Sequence, residues 1–183
     1  MRKMKQQFTD SAKELKNLNT LIVTALLIAL GVVLGEFSVR VTPDIKIGVS
    51  FIATQLTATL FGPVVGCVMG GVGDIIKFIL KPSGTFSILY TISAMVGPTI
   101  YGMMLYKKKL TFWRILLSKA VVGLVVNVIL FCTWRAIYSG ALTAYATIPT
   151  KLIQQLIQVP IQSVIFYIFV KALKKTKVFP QLS

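Results

Sequence analysis

Between Thr20 and Val39 the chain reads TLIVTALLIALGVVLGEFSV, with Glu36 its only charge. About 20 residues of helix cross the hydrocarbon core of a bilayer, so this stretch is long enough to span. Further apolar runs follow at 47–62, 64–80, 86–106, 112–138 and 148–173. Charged residues make up only 14% of the chain and mean hydropathy is +0.79, whereas soluble domains carry about 25% charged residues. Too little polar surface remains to cover a water-facing exterior. Lipid removes that problem, because apolar side chains can face outward in it. The reading is an all-α polytopic membrane protein with six transmembrane helices in one bundle.

The segments between the runs set the boundaries. Residues 1–18 are polar and basic, and read as a cytosolic lead-in, a short amphipathic helix at the interface. Residues 19–175 form the transmembrane domain and 176–183 a cytosolic tail. Loops are expected at 40–46, 81–85 and 139–147, and a tight turn at Gly62-Pro63. Gly66, Gly70, Gly71 and Gly73 would let neighbouring helix backbones approach closely. Gly97-Pro98 and Pro160 are expected to kink their helices rather than end them.

The net charge of +15 would suit nucleic acid, but the cations sit at the ends of apolar runs, as membrane anchors do, so no nucleic-acid partner is expected. With the N-terminus inside, fourteen Lys and Arg fall on the cytoplasmic side and six (Arg40, Lys46, Lys77, Lys81, Arg135, Lys151) on the outer side. That asymmetry places both termini in the cytoplasm. Cys67 and Cys132 lie within apolar runs and read as small hydrophobes. Histidine is absent, so neither a zinc site nor another metal or cofactor is expected. No cleavable signal peptide is expected, since the first twenty residues are polar and charged.

Several residues are too costly at bilayer depth to be there by default. A charged side chain inside a span costs at least ~2.5 kcal/mol unless paired or watered. Asp74 and Lys77 are three apart and share a helix face. They form either an internal salt bridge or the wall of an outward-facing polar pocket, Asp74 accepting from a ligand and Lys77 meeting an anion. Tyr90, Trp134 and Tyr138 read as an aromatic belt or, beside Arg135, as stacking walls for a flat ring. Asn127, Gln55, Gln154, Gln155 and Gln158 are amides within spans and need partners on other helices or on a ligand. Ala25 and Ala29 have small-xxx-small spacing, which suits close helix contact.

Four stretches together resemble the folate-type substrate-binding (S) components of energy-coupling factor (ECF) vitamin transporters. They are Ala25-x-x-x-Ala29; residues 60–80 (LFGPVVGCVMGGVGDIIKFIL) with the PSG, F, T, A, G and IYG positions of 82–102; Asn127 to Gly140 (NVILFCTWRAIYSG); and 148–162 (IPTKLIQQLIQVPIQ). The resemblance spans roughly residues 20–173. It departs from the pattern at Lys151, where the family carries Arg, at Gln154 or Gln155, where a Lys is usual, and in the altered PSGTF loop.

The resemblance implies a multi-pass protein of the bacterial plasma membrane that captures folate from outside. It implies docking on a transmembrane coupling subunit through Ala25 and Ala29, together with two ATPase subunits, and release of the vitamin inside by toppling. ATP hydrolysis would belong to the partners; the chain has no G-xxxx-GK-[ST] loop and is not expected to be an enzyme. Folate chemistry would use Asp74 on the pterin N–H groups and Tyr90, Trp134 or Tyr138 for stacking. Lys77, Arg135 and Lys151 would meet the tail carboxylates, with Gln155 nearby on the last span. Lys at 151 is a point charge where Arg would bind a carboxylate with two parallel bonds. Other readings remain: an S component for pantothenate or a pyrimidine precursor, or a small secondary transporter. An intramembrane enzyme is disfavoured because no Ser or Asp has a base partner.

Overall fold

The computed structural model describes residues 2–37, 39–42, 45–81 and 86–176. Eight α-helices account for most of the described chain: α1 (Arg2–Glu14), α2 (Leu18–Glu36), α3 (Phe51–Phe61), α4 (Pro63–Leu80), α5 (Ile88–Leu105), α6 (Phe112–Val122), α7 (Phe131–Ser139) and α8 (Ala141–Thr176). A π-helical segment, Gly123–Leu130, joins α6 to α7 without a break. Among the described residues, five helical stretches are long and apolar enough to cross a membrane: Leu18–Gly35, Pro63–Leu80, Ile88–Leu105, Phe112–Tyr138 and Thr147–Lys175. The protein is therefore a multi-pass membrane protein of helical class.

Three expectations need revision. The run at 47–62 forms only the 11-residue α3, about 16 Å long at 1.5 Å per residue, half the hydrocarbon thickness. Its polarity explains this: Gln55, Thr57 and Thr59 are buried in protein, together with Ala53, Leu56, Ala58, Leu60 and Phe61, so α3 is wrapped by its neighbours. The loop at 40–46 lies within a two-stranded antiparallel ribbon, β1 (Val39–Thr42) with β2 (Ile45–Ile47), in which Val39 faces Ile47 and Arg40 faces Lys46. The loop at 139–147 shrinks to a break at Gly140, whose φ of +88° is open to glycine; from Ala141 the chain is already α8. The Ala- and Leu-containing stretch ALTA has good helix propensity, so the helix starts seven residues before the apolar run. Residues 82–85 of the 81–85 loop, and 177–183 of the tail, lie outside the described residues. Helix α5 runs on through Pro98, and α8 through Pro149 and Pro160.

The chain divides into two compact units, 1–106 and 107–183. In the first, α2, α3, α4 and α5 pack together and α4 against α5 is the most extensive pairing. Glycine makes this possible. A methyl group at Gly66 would press on Pro98 at 3.2 Å, one at Gly70 would collide with the Ala94 carbonyl, and one at Gly102 with the Pro63 backbone. Gly62 (φ +90°) turns the chain from α3 to α4, and Pro63 opens α4, where its missing N–H costs no helical bond.

Helix α1, the lead-in of the sequence reading, closes one end of this unit. Fully buried Ser11 donates through Oγ to the Phe61 carbonyl at 2.7 Å and accepts from the Val64 and Val65 N–H groups at 3.0 and 3.3 Å. One hydroxyl thus satisfies the last carbonyl of α3 and two orphan donors of α4. Gln7 Nε2 donates to the Tyr106 carbonyl at 3.2 Å, and Thr20 Oγ1 to Glu14 Oε2 at 2.7 Å. The start of α2, the end of α3, the start of α4 and the end of α5 therefore meet at the α1 end.

In the second unit, α6, the π segment and α7 run antiparallel to α8. The Phe112 and Tyr167 rings meet edge-on at 5.8 Å, and Lys119 Nζ donates to Gln162 Oε1 at 2.9 Å. The Gly123 backbone lies against the Gln155 amide, and Lys151 reaches Phe131.

Candidate functional site

The first unit holds a cavity of about 180 Å³. Helix α2 contributes Ile28 and Gly31, α3 contributes Thr54, α5 contributes Ala94, and α4 contributes Met69, Gly70, Gly73, Asp74 and Lys77. The α4 set repeats every three to four residues, as one helix face requires. Gly73 matters here for what it lacks: beyond its own stretch of helix, nothing lies within 4 Å of where its Cβ would stand. Gly66, Gly70 and Gly71 serve close packing as expected, but Gly73 leaves space instead.

Asp74 is half-buried, and its Oδ2 accepts from Thr91 Oγ1 at 2.8 Å. No Asp74–Lys77 ion pair forms among the described residues. A carboxylate has about four acceptor positions, and Thr91 takes one. Asp74, Lys77 and Thr54 are thus the polar side chains of a cavity otherwise walled by apolar groups and backbone. Such a wall suits a mostly apolar molecule with a polar edge. Thr91, Thr54, Gly31 and Ile28 were not singled out in the sequence. A Thr one turn into a helix carries no local mark of a carboxylate 17 residues away.

Tyr90 does not line this cavity. It lies one position before Thr91, about 100° around α5, and is 42% exposed. Gln55, beside Thr54, is fully buried, and neither its Oε1 nor its Nε2 has a hydrogen-bond partner.

The second unit gathers a different set. Lys151 Nζ sits 4.3 Å from the centroid of the Phe131 ring and donates to Gln154 Oε1 at 3.3 Å. A cation over a ring face is held by the ring's quadrupole. Arg135 lies one turn beyond Phe131 on α7, and its buried Nε has no partner. Trp134 is half-buried and Tyr138 is exposed. Gln155 packs on the Gly123 backbone, within the π-helical segment that also contains Asn127. That segment left no mark in the apolar periodicity, although π turns often accompany functional positions.

Ala25 and Ala29 are exposed on α2, flanked by exposed Leu21, Ile22, Leu26, Leu30 and Val33. This side of α2 is smooth and apolar.

Comparison with known proteins agrees with these features. Residues 19–178 match the family model described as ECF transporter, substrate-specific component. The folate transporter FolT of Clostridium novyi is 31% identical over 153 residues, covering 84% of this chain and 88% of that one. The folate transporter FolT of Leuconostoc mesenteroides is 27% identical over 151 residues, covering 80% and 81%. A crystal structure of FolT bound with folic acid superposes with a TM-score of 0.73 at 30% identity, over 82% of this chain and 92% of that chain.

Proposed function

The chain belongs to the substrate-specific components of ECF transporters, a family of transporter subunits rather than enzymes, and from that membership we propose that it captures folate. Support comes from relatives that are folate transporters and from a similar structure solved with folic acid. The observation that carries the reading is the cavity among α2, α3, α4 and α5, with Asp74 and Lys77 in its wall.

The cavity's size suits one part of folate rather than the whole molecule. At about 180 Å³ it is smaller than the 300–1,000 Å³ pockets that enclose whole drug-sized ligands. The pterin head enters it, and the tail stays outside. Asp74, oriented by Thr91, accepts from the amide-like N–H and amine of the pterin edge. Lys77, near the rim and exposed, meets an anionic group. Arg135 and Lys151 supply the cationic chemistry that the two tail carboxylates need, and Trp134, Tyr138 and Tyr90 are assigned to stacking, with Gln155 as a polar contact. Both termini face the cytoplasm in this reading; α4 opens at the α1 end, so Asp74 and Lys77 in its second half lie toward the outside, from which the ligand comes.

The remaining steps follow the family's logic. The exposed α2 face around Ala25 and Ala29 receives the coupling subunit, two ATPase subunits hydrolyse ATP, and the loaded subunit topples to deliver folate inward. The test is calorimetric titration of the purified chain with folic acid. Tight binding is expected, and Asp74→Asn should weaken it by 100-fold or more. A purified protein that ignores folate, or an Asn variant with unchanged affinity, rejects the assignment.

A further inference from the structure

Helix α1 carries a pattern to which the folate reading assigns no role. Its docked side is defined by Ser11 and Gln7, which bond to the chain ends at Phe61, Val64 and Tyr106. At 100° per residue, Met4 lies about 20° and Phe8 about 60° to one side of Ser11. Both are exposed, at 52% and 37%. Lys5 follows at about 120°, and Lys13 lies on the side opposite the docked face; both are exposed. Lys16, in the turn just after the helix, is exposed as well. Around its circumference the helix is thus docked, then apolar, then basic.

The position of α1 gives that order a meaning. It packs where α2 and α4 begin and where α3 and α5 end, at one membrane face of the first unit. A helix lying there has the bundle on one side, the acyl boundary beside it and the headgroup layer beyond. Met4 and Phe8, beside the docked side, would then fall in that boundary, and the lysines further round would meet the headgroup phosphates. Amphipathic helices with this arrangement lie in the interface plane.

We propose that α1 is an in-plane anchor that binds anionic lipid headgroups through Lys5, Lys13 and Lys16, with Met4 and Phe8 seated at the acyl boundary. Because Ser11 caps α4, lipid held at α1 also steadies the helix that carries Asp74 and Lys77. This inference rests on the protein being a membrane protein and not on its ligand.

The test uses the full chain. Its melting temperature in detergent is followed while phosphatidylglycerol or phosphatidylcholine is titrated. Phosphatidylglycerol should raise it at far lower concentration. Three cations at roughly 1 kcal/mol each correspond to about a 100-fold change, so the Lys5→Gln, Lys13→Gln, Lys16→Gln variant should need about 100-fold more, and high salt should mimic it. Separately, Met4→Trp in nanodiscs of brominated lipid should gain a quenched emission over the parent. Equal titrations for the two lipids or for the two proteins overturn the proposal. So does an unquenched tryptophan at position 4, which would put this face in water or beneath a protein partner.

Discussion

Thr91 on α5 donates a 2.8 Å hydrogen bond to Asp74 on α4, joining the two most extensively packed helices of the first unit at the wall of its cavity. The bond occupies one carboxylate oxygen and leaves the other available to a ligand. Thr91→Val keeps the shape and removes the donor. A bond to a charged acceptor contributes about 1.5–3 kcal/mol, so folic acid affinity should fall roughly 10- to 100-fold while the protein still folds. Calorimetry on Thr91→Val and Thr91→Ser decides it, and the Ser variant should keep most of the affinity.

Gly73 and Gly70 sit one turn apart on α4 but should respond oppositely. Beyond its own stretch of helix, nothing lies within 4 Å of a Cβ at Gly73, so Gly73→Leu fills the cavity with little strain. That variant should purify with near-normal melting temperature and lose folate binding. Gly70→Ala drives a methyl into the Ala94 carbonyl and should lower the melting temperature, or prevent folding, before ligand is added. Equal behaviour of the pair would mean that the cavity is not where ligand binds.

Ser11 serves three backbone groups with one hydroxyl. Removing a helix cap costs about 0.5–2 kcal/mol, and here a buried carbonyl is stranded as well. Ser11→Ala should therefore lower the melting temperature by several degrees without changing folate affinity at low temperature. Thermal unfolding in a fixed detergent measures it, and an unchanged transition would show that water replaces the hydroxyl.

Gln55 is fully buried with both ends of its amide unpartnered. An unsatisfied buried polar group costs about 1–3 kcal/mol. Gln55→Leu, close in volume, should raise the melting temperature of the ligand-free protein. A lowered one would place an ordered water or a ligand contact at this amide.

Lys151 lies over the Phe131 ring, and Arg135 stands one turn along α7. If they meet the tail carboxylates, Lys151→Gln and Arg135→Gln should each weaken folic acid more than pteroate. Lys151→Arg should tighten folic acid, since its planar fork binds a carboxylate with two bonds. Parallel titrations with folic acid and pteroate, which lacks the glutamate, separate tail from head; identical losses for both ligands would remove these residues from tail recognition.

Much of the architecture was legible because lipid imposes a length on each apolar run. The spans at 20–39, 64–80, 86–106 and 112–138 needed little more than hydropathy, and Gly62-Pro63 announced its turn by residue type alone. The run at 47–62 misled because hydropathy does not distinguish a helix facing lipid from one wrapped in protein; the threonines and Gln55 were the clue to the second. The start of α8 was hidden because ALTAYAT has helix propensity without strong hydrophobicity. Asp74 and Lys77 stood out through the cost of charge at depth. Their setting did not: Thr91, Ser11 and Gly73 act through partners 17 to 54 residues away, or through a space, and neither leaves a local pattern.

The brevity of α3 bears on how the protein meets membranes of different thickness. A thinner or thicker bilayer makes long helices tilt to match it, and that adjustment falls on elements whose flanks touch acyl chains. Eight of the eleven residues of α3 are buried, so hydrophobic mismatch has little purchase on it. Thr54 and its neighbours are thereby mechanically insulated from changes in bilayer thickness.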